Sequence, residues 1–206
     1  MSTGPSRRSV VCALALVLAL LALGPPTLAW GLLSLEFGTA PALPTLTTVT
    51  LNAKSQAVNT TMTNFSVSDT RLVKSGWNVT VEGRPGAGNS PVFAQYCPKV
   101  KCGGASEGYV GGGLTLPANS LQLNSSGAKF GGGLGGTPTL ECSAACNVDS
   151  SSAVKIASAT ATAGGTWTTS GWSATSLALT APTTLKVLPN EEVYRVDILW
   201  TLASGP

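Results

Sequence analysis

The 206-residue chain contains no histidine, and charged residues make up only 10% of it. Without histidine, the Ser-His-Asp and Cys-His nucleophilic arrangements and most zinc hydrolase sites are excluded. The sparse charge, twelve Lys and Arg against nine Asp and Glu, leaves no basic stripe of the kind that binds nucleic acid. Helical periodicity is missing as well. Outside the N-terminal apolar run, no window combines a 3.6-residue repeat with helix caps. No cofactor motif is present, and none is expected to be bound.

The start of the chain carries an export signal. Arg7 and Arg8 precede fourteen apolar residues, Val10 to Leu23, followed by Gly24-Pro25-Pro26 and a small-residue site ending at Ala29. Charged, apolar and cleavable parts in that order form a secretory signal peptide, assigned to residues 1–29 with Ala40 as the second-choice cleavage point. Fourteen residues are short of the roughly 20 that span a bilayer. No membrane span is therefore expected after cleavage. The mature chain, 30–206, keeps ten basic and nine acidic residues and is rich in Ser, Thr, Gly and Ala. Its length suits one domain.

Four cysteines remain in that mature chain: Cys97, Cys102, Cys142 and Cys146. An even count behind an export signal predicts two disulfides, with all three pairings open. A four-cysteine zinc site is the rival, disfavoured by export.

Period-2 alternation dominates the rest. Residues 30–44 read as an extended lead-in with Pro41 and Pro44. Strands are expected around Thr47–Leu51, Val58–Thr63, Phe65–Val67 and Trp77–Val81, where Trp77, Val79 and Val81 share a face. Twelve of the 24 glycines lie between Gly103 and Gly136, and the runs 111–113 and 131–133 argue against strand interiors. Residues 84–150 are accordingly expected to form a loop-rich, disulfide-bearing insertion with one or two short strands. Beyond it, strands are expected at Val154–Ile156, Thr166–Trp172, Leu177–Leu179 and Leu185–Val187. The last of these should form a hairpin with a ten-residue final strand, Val193–Leu202. In that strand Tyr194, Val196, Ile198, Trp200 and Leu202 alternate with Arg195, Asp197, Leu199 and Thr201. Many short strands between Gly/Pro turns predict an all-β protein, an antiparallel sandwich of immunoglobulin-like or related type.

The order of these segments is V-T-L-N, N-F-S-V-S-D-T-R, S-G-W-N-V-T-V, a variable middle and a terminal W-T-L. It resembles the WxL-domain surface proteins of Gram-positive bacteria over residues 45–206. That resemblance implies a secreted protein at the cell surface, bound non-covalently to the cell wall through peptidoglycan or another wall glycan. The alternative is a structural or adhesive protein attached indirectly, through another exported surface protein. Trp77, Val79, Tyr194, Trp200 and Leu202 carry the resemblance. Val79 departs from the usual Leu but keeps an apolar residue on the same face.

Those residues have two readings. On apolar strand faces Trp77 and Trp200 are core anchors, each burying about 150–250 Å²; the alternative is direct ligand contact. Trp167 and Trp172, set among threonines, are expected to be exposed stacking platforms or else to pin loops. No catalytic residue is assigned. Glu82, Glu107, Glu141, Asp149, Glu191, Glu192 and Asp197 form no recognisable pair motif and read as solvated charges.

Overall fold

The computed structural model describes residues 33–205 except Thr48, 99–101, 103–105 and Asn190. The expected signal peptide, 1–29, lies outside the described residues. Fifteen strands follow in chain order: β1 Leu35–Thr39, β2 Gln56–Thr60, β3 Ser66–Asp69, β4 Trp77–Gly83, β5 Ala94–Cys97, β6 Gly108–Tyr109, β7 Leu121–Leu123 and β8 Lys129–Leu134. The remainder are β9 Thr139–Leu140, β10 Cys146–Asn147, β11 Val154–Ala159, β12 Gly164–Ser170, β13 Leu177–Ala181, β14 Val193–Arg195 and β15 Ile198–Ser204. No helix occurs among the described residues.

These strands form antiparallel sheets packed together as a β-sandwich, the all-β class expected. The sheet orders are β1-β3-β12-β8, β10-β7-β13-β2, β15-β4-β11-β9 and β14-β5-β6. Alternation explains β4 directly. Trp77, Val79 and Val81 are wholly buried, while Asn78, Thr80 and Glu82 between them are only half-buried. Around them Phe65, Val67, Leu121, Leu123, Phe130, Ile156 and Leu177 complete one core. Phe130 presents its ring edge-on to both Phe65 and Trp77, at 5.8 Å between centroids in each case.

Several expectations are corrected. The final strand is not continuous: β14 pairs with β5, and β15 pairs with β4. The break sits at Val196-Asp197, where the Asp197 N–H donates to the Ser90 carbonyl and the Asp197 carbonyl accepts from the Arg84 N–H. The turn after β4 thus captures the chain and redirects it between sheets. Gly83 permits this crossing, because a Cβ there would lie 2.0 Å from the Pro91 carbonyl oxygen.

No hairpin forms with 185–187. That segment is not a strand, since its neighbours turn at Pro182 and Pro189, where Leu185 and Glu192 donate back to the proline carbonyls. Residues 49–51 are not a strand either, whereas part of the lead-in is, as β1 paired to β3.

The 84–150 segment is glycine-rich and disulfide-bearing, but it carries β5 to β10 rather than one or two strands. It also supplies Phe93, Leu116, Leu121, Leu123, Phe130 and Val148 to the core. The disulfides take the local pairing, Cys97–Cys102 and Cys142–Cys146. Loops this short contribute about 2 kcal/mol each in the loop-entropy model.

Glycines 131–133 do sit in a strand interior, β8, contrary to expectation. The reason is close approach. A Cβ on Gly133 would lie 2.0 Å from the Trp167 ring, and its φ is +56°. The glycine run lets the Trp167 indole lie flat against backbone, so tertiary packing overrides β propensity.

Three outcomes follow. Gly133→Ala should destabilise the protein by about 2 kcal/mol or more in thermal unfolding. Gly131→Ala, with nothing within 4 Å of its Cβ, should shift stability by less than about 0.5 kcal/mol. Mass spectrometry of the oxidised protein should show four hydrogens fewer than the reduced chain, with the disulfide-linked peptides joining Cys97 to Cys102 and Cys142 to Cys146.

Candidate functional site

The two W-x-aliphatic motifs lie on neighbouring strands. In the β4/β15 ladder Ser204 faces Trp77, Leu202 faces Val79 and Trp200 faces Val81. Directly opposed residues of an antiparallel pair point to the same side. The ladder therefore builds one apolar strip, wholly buried on β4 and half-buried along Ile198, Trp200 and Leu202. On the other flank of β4, Ala157 and Ala159 of β11 oppose Val79 and Trp77. These small residues leave room for the indole. Trp77 touches no solvent, so it is a core anchor.

The D-T-R loop locks this ladder. Arg71 makes two hydrogen bonds to the Asp69 carboxylate, from Nε at 2.9 Å and NH2 at 2.8 Å. The same guanidinium donates to the Gly76 carbonyl and, through NH1, to Ser204 Oγ at 2.6 Å. Ser204 Oγ also meets Ser75 Oγ at 2.7 Å, and Asn78 Nδ2 donates to the Gly205 carbonyl. The 64–71 and 75–81 segments and the end of the terminal strand thus converge on one clamp, whereas V-T-L-N lies apart from it, with Val49 and Leu51 lining the apolar groove described below. Asp69 is fully buried, and the Arg71 hydrogen bonds hold its pKa below the ordinary carboxylate value against the opposing effect of burial.

Trp167 and Trp172 do not form exposed platforms. Trp167 is 5% exposed, with its ring against Gly133. Trp172 is half-buried, stacks obliquely on Phe65 and donates its indole N–H to Thr169 Oγ1 at 3.2 Å. Thr169 is wholly buried and exchanges hydrogen bonds with the Phe65 backbone, so the threonine setting does not mark surface.

Two of the carboxylates read as solvated are buried or shielded. Asp149 is fully buried and accepts from the N–H groups of Ser120 and Leu121, at 2.9 Å each. Burial raises its pKa in spite of those bonds. Asp197 accepts from Tyr109 Oη at 2.7 Å, from the Ser90 N–H and from Arg195, whose guanidinium lies 4.4 Å from the Tyr96 ring centroid. Burial, then the hydrogen bond to Asp197, raises the Tyr109 pKa. This cluster joins β5, β6 and β14, with Arg195 covering its outer side. Among the described residues, no three His, Cys, Asp or Glu gather as a metal site.

Two grooves remain. One, about 1,020 Å³, is apolar and lies between the 43–51 segment and 185–196, lined by Leu43, Leu46, Val49, Leu185, Val187 and Tyr194. Tyr194 is half-buried there, its hydroxyl donating to the Lys186 carbonyl at 3.2 Å. The other, about 510 Å³, is hydroxyl-rich and runs between the β7–β8 turn and the approach to β9. Ser125, Phe130 and Pro138 lie buried in it, while Ser126, Lys129, Thr137, Thr139 and Ser143 are exposed around them. Ser125 Oγ is buried with no hydrogen-bond partner. Such an unmade bond costs about 1–3 kcal/mol. Sequence reasoning missed this groove, because serines and threonines in turns carry no periodic signal.

Arg71→Ala should lower stability by about 3 kcal/mol, since it strands a buried carboxylate. Asp69 contributes stability that is present above the unfolded carboxylate pKa of about 3.9 and is lost as pH falls through its lower folded value. Melting temperature should therefore drop below about pH 4 in the native protein, and that drop should be shallower in Asp69→Asn. The chain matches no protein-family model, no curated protein and no solved structure.

Proposed function

We propose that this protein is a secreted, non-catalytic surface module that binds the bacterial cell wall non-covalently through peptidoglycan. The observation that carries the reading is the in-register pairing of the Trp77-Asn78-Val79 and Trp200-Thr201-Leu202 motifs on β4 and β15, behind an export signal. Segments that resemble the WxL signature only as separate stretches of sequence become one ladder held by one clamp. In this reading the motif tryptophans supply architecture, and glycan contact falls to surface outside the ladder. A hydroxyl-rich exterior with few charges suits a polysaccharide, which is recognised mainly by hydrogen bonds and C–H packing.

A second reading, a partner-binding surface protein with indirect wall attachment, has its own support. The seven-residue β15 lies at the edge of its sheet, and the apolar groove beside Tyr194 is large. Edge strands and apolar grooves are the surfaces that peptide partners use.

Co-sedimentation of the exported protein with purified sacculi separates the two. Direct wall binding predicts protein in the pellet with no other component added. Complete recovery in the supernatant overturns it, and sedimentation that needs a second exported protein favours the partner reading. Trp77→Ala should unfold the chain, at a cost of about 3–5 kcal/mol. Trp200→Phe should fold and still sediment, which a ligand-contacting Trp200 would not allow.

A further inference from the structure

We infer that the hydroxyl-lined groove between the β7–β8 turn and β9 is a saccharide subsite, and that Ser125 is the residue held ready for the sugar. The identity of the sugar rests on the wall-binding reading; the site itself rests on the groove. Its volume, about 510 Å³, lies within the range of small-ligand sites. Its lining alternates hydroxyl groups with apolar surface, as a pyranose alternates hydroxyls with C–H faces. Ser126, Thr137, Thr139 and Ser143 ring the mouth, while Phe130, Pro138 and Leu140 offer apolar contact.

The walls are fixed rather than loose. The Ser125 N–H donates to the Cys142 carbonyl at 2.9 Å, and the Ala128 N–H closes a turn onto the Ser125 carbonyl at 3.0 Å. Cys142 is in turn tied to Cys146 by a disulfide, and the Ala145 N–H donates back to the Cys142 carbonyl. The Glu141 N–H anchors the opposite wall to Ile156 of β11. One turn, one disulfide loop and one strand end thus hold five hydroxyls around a common space before any ligand arrives. Such preorganisation lowers the entropic cost of binding.

Ser125 is the unusual member. It is 4% exposed, yet its hydroxyl has no partner. Buried hydroxyls almost always find one. A serine hydroxyl re-aims by rotation about χ1, so a sugar hydroxyl entering the groove can supply the missing bond. Among the described residues, Lys129 is the only charged one lining the groove. It suits an amino sugar with a free carboxylate, as in N-acetylmuramic acid without its stem peptide, better than a neutral one.

The test is titration of the exported protein with the N-acetylglucosamine–N-acetylmuramic acid disaccharide, followed by calorimetry and by amide chemical shifts. Shifts should be confined to 125–130 and 137–143. Ser125→Ala should weaken binding about tenfold while leaving the melting temperature unchanged or raised, because an unpaired buried hydroxyl is removed. A merely structural serine predicts the reverse pattern, a lower melting temperature with affinity intact. Ser126→Trp, on the exposed rim, should abolish binding without unfolding the chain. Lys129→Gln should weaken the muramic disaccharide but not N,N′-diacetylchitobiose, which lacks the carboxylate. Equal affinity in wild type, Ser125→Ala and Ser126→Trp overturns the subsite, as does a wild type that binds neither sugar. If Ser126→Trp still sediments with sacculi as wild type does, the groove fails and the wall reading stands. If the disaccharide binds in the groove but sacculi leave the protein in solution, the wall reading fails and the subsite stands.

Discussion

The β4 strand is the element on which the rest depends. Its inward residues Trp77, Val79 and Val81 are sealed from solvent, and it lies between β11 and β15 in its sheet. Burying three such side chains stabilises the fold by several kcal/mol, at about 1.5–3 kcal/mol apiece for the aliphatic ones. A strand so placed needs its neighbours held in register, because a one-residue slip turns the indole outward. The Asp69–Arg71 clamp does this. By reaching Gly76 before β4 and Ser204 at the end of β15, Arg71 ties the entry of one strand to the exit of the other. The motifs that stand out in the sequence are those that build this arrangement.

That placement constrains where function can lie. A residue with no exposed surface cannot touch a ligand without unfolding, so Trp77 and Val79 act through architecture. Trp167 falls under the same argument. What is left facing outward is a largely polar surface with a few exposed apolar residues such as Leu72 and Val73, and the two grooves described above. The hydroxyl groove is braced by the Cys142–Cys146 disulfide and roots in β8 and β11, which also meet the core. Core and candidate site are therefore mechanically continuous, even though no motif residue lines the groove.

How far the sequence disclosed this follows from the range of each interaction. Local alternation was enough to place β4 and the starts of β11, at Val154–Ile156, and β13, at Leu177–Leu179, since a strand with one face buried writes its period into its own residues. The even cysteine count was enough for two disulfides, though not for their pairing. The break at Asp197 was hidden because its cause, Ser90 and Arg84, lies more than a hundred residues away. The glycine run of β8 misled because its purpose is to admit Trp167, a residue on another strand. Trp167 itself was disguised by Thr169, a polar residue that is buried because its hydroxyl serves the Phe65 backbone. The hydroxyl groove had no local signature at all, since it exists only where two turns meet.

Hydrogen exchange on the protein, with and without soluble peptidoglycan fragments, tests the division between architecture and recognition most directly. The account predicts that amides of 77–82 and 198–204 are among the most protected in the free protein and do not change on binding, while protection rises at 125–130 and 137–143. Binding that instead alters protection along β4 and β15, with 125–143 unmoved, would contradict it.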